Sequence, residues 1–294
     1  MGLGATLFAL MNFLARLATA SASWATVAAV RAAVGALVAL AIARMRGRSV
    51  AAKDPRAMFW RSLFGTIAML STFYALSSRT VSLGSTVTLL NLSPVFLAVL
   101  APIFLRERTS TAVAVAIGLA LTGVVLVVRP AFLFGAGAPD GGSTIASAGP
   151  SASVTVLVAV LAALSTSIAM MFLRRVGQTE NAEAIAFHFS IFAAVTMTLI
   201  SLFDLRMPTL RDVLCMLAAG LCAGLAQLAM TRAYALEHAA RVSGMSYFSV
   251  VASALLGAAL LGERPGPTAI AGMTLVIAGG LLVTFARSRT APVR

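Results

Sequence analysis

Few residues in this chain could do chemistry, and the most telling of them stand inside long apolar runs. Arg31 falls about eight residues into one such run, where an unpaired charge costs about 2.5–3.5 kcal/mol on membrane-insertion scales. A cost of that size calls for a reason. A planar guanidinium is suited to clamping an anion or a carboxylate; the bland alternative is that it snorkels outward or rests on a backbone carbonyl. His188, one of two histidines, becomes the counterpart of Arg31 if the two halves are aligned at an offset of 157. It could serve as a proton carrier or simply as a hydrogen-bonded core residue.

Asn91 stands three residues before Pro94 in another apolar run. Proline has no N–H, so the carbonyl of Leu90 loses its helical partner and the helix should bend or unwind. Irregular backbone at membrane depth is tolerated where it lines a cavity or meets polar groups, which makes Asn91 and Ser93 candidate substrate contacts. Tyr247 supplies a ring and a hydroxyl, and Gln227 an amide partway along its run. Pro94, Glu107 and Glu263 are read as gate or structural elements, the two glutamates at opposite membrane surfaces beside Arg106, Arg108 and Arg264.

Other chemistries find no support. Gly84-Ser85 lacks a flanking Gly-x-Ser-x-Gly pattern, and no triad can be assembled around the histidines. Two His, two Cys and no mid-span carboxylate give no metal-ligand spacing, and no cofactor is implied. Cys215 and Cys222 share one helix face about 10 Å apart and cannot bridge. The net charge of +13 lies between apolar runs without a basic stripe, which excludes nucleic acid as a partner.

The elements that must position these residues follow from composition. Sixty per cent of the 294 residues are hydrophobic and 11% are charged, whereas soluble domains carry about a quarter charged residues. Ten apolar runs, near 1–20, 24–43, 58–76, 83–105, 111–128, 154–173, 184–203, 213–231, 242–261 and 268–285, have the length of bilayer-crossing helices. With the N-terminus cytoplasmic, fourteen of the 22 Lys and Arg residues fall on the inner side and five on the outer, leaving Arg16, Arg31 and Arg61 within spans. That positive-inside bias predicts a multi-pass protein of the bacterial inner membrane with both termini cytoplasmic. All nine acidic residues sit in loops or at helix ends, which favours facilitated transport or exchange over a carboxylate proton relay.

The halves repeat. Tyr74-Ala75-Leu76 recurs as Tyr234-Ala235-Leu236, Glu107 matches Glu263 and Gly123 matches Gly279, the last two pairs at an offset of 156. Five spans per half is an odd number, so a tandem copy inserts upside down. The expected fold is an all-α integral membrane protein with ten transmembrane helices as two inverted five-helix repeats, 1–129 and 153–287, joined by a flexible outer linker, 130–152, and ending in a cytoplasmic tail, 288–294.

Phe73-Tyr74-Ala75-Leu76, Asn91-Leu92-Ser93-Pro94-Val95-Phe96 and Leu105-Arg106-Glu107-Arg108, echoed by Ala233-Tyr234-Ala235-Leu236 and Leu260-Leu261-Gly262-Glu263-Arg264, resemble the drug/metabolite transporter superfamily in its bacterial EamA-like branch. Pro94 to Glu107 keeps that branch's spacing of thirteen, while Val250 stands where the second half would have proline. The resemblance implies an alternating-access carrier of small metabolites.

Together these features point to a secondary transporter, independent of ATP, for a small organic compound such as an amino acid or a relative of one. It would act as a monomer or homodimer in the lipid bilayer. The competing class is a membrane sensor or scaffold that binds without transporting. The topology is checked by C-terminal fusions: green fluorescent protein should fluoresce and alkaline phosphatase stay inactive, and the reverse pattern overturns the orientation.

Overall fold

The computed structural model describes residues 2–78, 81, 83–93, 95–97, 100, 111–128, 150–204, 206–236, 248–262 and 266–288. They form ten α-helices: α1 (Gly2–Ala18), α2 (Trp24–Met45), α3 (Pro55–Ser77), α4 (Leu83–Leu90), α5 (Thr111–Val128), α6 (Pro150–Val176), α7 (Ala182–Ser201), α8 (Leu210–Leu236), α9 (Phe248–Leu261) and α10 (Pro267–Ser288). There is no strand among the described residues. Each helix falls on one of the ten expected spans. Four segments, Trp24–Met45, Ala152–Val176, Ala182–Ser201 and Leu210–Ala233, meet by themselves the length and apolarity needed to cross a bilayer. The expected linker is shorter than its sequence suggests, because α6 already begins at Pro150, a residue whose fixed φ and missing N–H suit a helix start. Residues 130–149 and 289–294 lie outside the described residues, as do Pro94, Glu107, Tyr247 and Glu263.

Side chains are distributed as a lipid solvent requires. On α8 the exposed Leu210, Leu214, Leu217, Leu221 and Leu225 form a stripe at helical spacing, and Ile191, Val195 and Leu199 do the same on α7. The interior is dominated by alanine, while Asn12, Arg31, Arg61, Glu183 and Gln227 are buried. Large apolar groups outside and polar groups inside invert the arrangement of a soluble domain. Small residues at the interfaces let helices approach where lipid supplies no hydrophobic drive.

The main interhelix packings are α5 with α10, α2 with α7, α3 with α6 and α1 with α8. Exchanging each helix for the one five places away turns α3–α6 into α8–α1 and returns α2–α7 and α5–α10 to themselves. The closest seam has the same property. A methyl group at Gly123 would come within 2.6 Å of the Gly272 carbonyl and 2.8 Å of Val276, and one at Gly279 within 2.7 Å of the Ala116 carbonyl and 2.9 Å of Ala120 N. Ala116 and Ala120 correspond to Gly272 and Val276 at the same offset of 156 that relates Gly123 to Gly279. Because Gly123 meets the start of α10 and Gly279 the start of α5, the two helices run in opposite directions. Gly220 and Gly224, the small-xxx-small pair of α8, seat Val34 and Val38 of α2, with 2.6 and 2.9 Å between each added methyl and the valine Cβ.

The bundle ends are tied by polar contacts. Gly47, with φ of 60°, closes α2: its N–H donates to Arg44 O and the Arg48 N–H to Ala43 O, a left-handed cap that turns the chain back. Arg46 and Arg48 then reach the fully buried Glu183 at 3.6 and 3.8 Å, and Arg232 donates to it at 2.5 Å. The adjacent Glu180 accepts from the N–H groups of Lys53 and Asp54, while Asp54 caps α3 through Ala57 N at 3.0 Å. At the other end Asp212 accepts from Ser21 Oγ and Thr209 Oγ1, both at 2.6 Å.

The α5–α10 seam should tolerate no added carbon. Gly123→Ala should destabilise by about 1–3 kcal/mol through overpacking, read as a lower melting midpoint in detergent. Gly118→Ala on the same helix meets nothing within 4 Å and should melt at or above the wild-type temperature.

Candidate functional site

Between the halves lies a cavity of about 220 Å³ lined by α1, α2, α3, α4, α6, α7 and α8, with Ser249 of α9. Helix α3 contributes one continuous face, Arg61, Gly65, Ala68, Met69 and Thr72, spaced as residues on one side of a helix must be. The other walls carry Asn12 on α1, Arg31 on α2, Phe189 on α7 and Gln227 on α8. Most of the remaining surface is apolar, with Ala5, Phe8, Met11 and Met230 prominent.

The break in α4 opens the fourth wall. Regular helix ends at Leu90, and Asn91 and Leu92 form a turn before helical geometry resumes. The Asn91 N–H still bonds Val87 O at 3.0 Å, but the Leu92 N–H shifts to Leu89 O at 3.1 Å, one residue closer than an α-helix requires. Asn91 Nδ2 donates to Val87 O at 2.9 Å and to Ser249 Oγ at 3.3 Å. The Ser93 carbonyl accepts from Ser167 Oγ of α6 at 2.7 Å. The interruption therefore puts an amide and a hydroxyl on the cavity wall while side chains from two other helices meet its polar groups.

Two guanidiniums enter this space. Arg31 is 6% exposed and its Nη1 donates to the Met69 sulfur at 2.7 Å, a soft acceptor that positions the group without neutralising it. Arg61 is 2% exposed and lies over the Phe189 ring, 4.8 Å from its centroid, a cation–π contact. Its Nε and Nη1, and the Nε of Arg31, have no hydrogen-bond acceptor among the described residues, nor does Gln227 Nε2. Gly65 makes room for Arg61: an added methyl would overlap Arg61 Nη1 and come within 2.9 Å of Phe189.

Of the residues expected at a binding site, Arg31, Asn91, Ser93 and Gln227 line one cavity. His188 does not. Its Nδ1 pairs with the Ala184 carbonyl one turn back at 3.0 Å, and the neighbouring Phe189 faces the cavity in its place. Tyr247, Pro94, Glu107 and Glu263 lie outside the described residues. Nothing in the sequence alone singles out Arg61 from the other basic residues left within spans. Its signal lies in Arg61 and Gly65 together, a charge followed four residues later by the one side chain small enough to let it fold over the next turn.

A bundle with lipid-facing leucines and a polar cavity between its halves has the build of a membrane carrier. The EamA-like transporter family model matches residues 1–129 and again 153–285, so the chain belongs to that family, within the drug/metabolite transporter superfamily, and is a multi-pass membrane transporter. It is 26% identical over 284 residues to a pseudopaline exporter of Pseudomonas aeruginosa, covering 96% of this chain and 92% of the relative. It is also 26% identical over 234 residues to mouse solute carrier family 35 member G1, covering 78% of this chain and 62% of that one. A solved crystal structure superposes with a TM-score of 0.68 at 21% identity, over 99% of this chain and 98% of the other, which supports the fold.

Gly65→Ala tests how the cavity is built. The methyl should expel the Arg61 guanidinium from its seat on Phe189 and reduce binding of an anion held by that guanidinium by tenfold or more, on the order of the loss of one charged hydrogen bond. Isothermal titration of the purified variant gives the answer, and unchanged affinity would show that Arg61 has no part in the site.

Proposed function

We propose that the protein is a secondary transporter that moves a small organic metabolite carrying a carboxylate, an amino acid or a close relative, by alternating access across a bacterial inner membrane. The observation that carries the proposal is Arg31: a buried guanidinium on the wall of a cavity between the halves, held by a thioether and without a carboxylate partner among the described residues. A site that keeps a cation buried and un-neutralised is matched by an anionic ligand. Asn12, Asn91 and Gln227 offer hydrogen bonds to an amine or hydroxyl, and the Met and Phe side chains suit an apolar body.

In this proposal the two five-helix units are inverted copies that rock about the cavity. The symmetric packing of α5 on α10, in opposite directions and through equivalent residues, supports it. Both termini face the cytoplasm, in keeping with the placement of basic residues. The relative named as an exporter favours outward movement. Nothing in the proposed cycle requires ATP or a proton carboxylate.

Purified protein in liposomes loaded with a mixed amino-acid and organic-acid pool should release one class of carboxylate selectively, read by mass spectrometry against empty vesicles. Arg31→Ala should lower that flux by tenfold or more. A wild-type rate in Arg31→Ala for every accepted substrate removes the clamp. Absence of flux from folded protein returns the chain to the sensor or scaffold class.

A further inference from the structure

Resting on the carrier reading just given, we infer that the cavity is built for a substrate with two anionic groups, and that Arg61 is the residue that selects for the second. Arg61 and Arg31 approach the same face of α3. Arg61 folds over Gly65, and Arg31 is bound at Met69. Gly65 and Met69 are four residues, about 6 Å of helix rise, apart, so the two guanidiniums rest against residues of successive turns along one wall. No acidic residue lines the cavity among the described residues.

Two like charges at that spacing in an apolar surround repel each other, and a single carboxylate can neutralise only one of them. A molecule with carboxylates at both ends of a short chain satisfies both. Each guanidinium keeps at least one N–H without a partner among the described residues, Nε on Arg31 and Nε and Nη1 on Arg61. Both are fixed by groups that carry no charge, a sulfur and an aromatic face, so neither must break an ion pair to receive the ligand. Elsewhere the chain handles buried charge differently: Glu183 is surrounded by Arg46, Arg48 and Arg232. Among the described residues Glu183 is matched by arginines at the helix ends, whereas Arg31 and Arg61 have no carboxylate partner. The chemical class assigned is a short dicarboxylate, with or without an amino group.

The test compares glutarate and glutamate with their one-charge counterparts valerate and norvaline, together with inorganic phosphate. Binding is read by thermal shift of the purified protein and exchange by flux in liposomes. The dicarboxylates should bind and exchange at least tenfold better than the monoacids. Arg61→Gln should remove that preference by raising the half-saturating concentration of the dicarboxylates about tenfold more than that of the monoacids; Arg61→Lys should retain much of it. Equal use of mono- and dicarboxylates by the wild-type protein overturns the inference whether or not the variants fold, as does an unchanged preference in Arg61→Gln or binding of phosphate ahead of every dicarboxylate. Dicarboxylate binding without flux supports the inference and overturns the transport reading. Selective flux of monoacids does the reverse, and silence across the whole panel overturns both.

Discussion

The constraint on which the rest of this structure depends is that charge and irregular backbone at membrane depth must be enclosed by protein. Lipid offers no hydrogen bonds, and an exposed guanidinium or freed carbonyl there is costly. The bundle meets this by placing leucine, isoleucine and valine on its outer faces and gathering Arg31, Arg61, Asn91 and Gln227 around one internal space. The broken part of α4 is acceptable for the same reason. It faces a cavity, and Ser167 and Ser249 meet its polar groups.

Enclosure demands walls that fit, and the fit comes from small residues. Gly123 and Gly279 bring α5 against α10 backbone to backbone, and Gly220 and Gly224 let valines of α2 sink into α8. These seams are rigid in one sense only. They hold helices close, but they contain few long side chains that would have to be unlocked for one packed unit to shift against another. The polar ties lie instead at the ends, in Glu183 with its arginines and Asp212 with Ser21 and Thr209.

The sequence made the architecture legible because lipid imposes a long and coarse signal: ten apolar runs became ten helices, and the repeat-matched Gly123 and Gly279 both stand on the α5–α10 seam. The site was legible only where a residue was chemically conspicuous or altered the backbone. Arg31 was costly by itself, and Pro94 announced the break that exposes Asn91 and Ser93. His188 failed for a geometric reason. An α-helix turns 100° per residue, so a register error of one position between repeats is enough to exchange a cavity-facing residue for its neighbour. Arg31 aligns with His188 at an offset of 157, yet the residue that shares its cavity is Phe189, one position later. Repeat matching pairs equivalent positions, and the residues that meet across a cavity need not be those pairs.

Arg61 shows what sequence reading lacked most. Near the start of a span, an arginine is ordinarily free to extend toward the headgroups. Here the side chain bends inward over Gly65 and onto Phe189, a path decided by a missing Cβ on its own helix and a ring on another. If stability alone shaped this position, a carboxylate across from it or an apolar side chain in its place would serve better, because an unpaired buried charge lowers stability and a hydrophobic replacement often raises it. The fold instead supplies a sulfur to Arg31 and an aromatic face to Arg61. Both orient a guanidinium while leaving its charge and part of its donor set uncommitted. Orientation without neutralisation is what the proposed recognition of an anion requires, and that proposal accounts for two such costly groups on one small cavity.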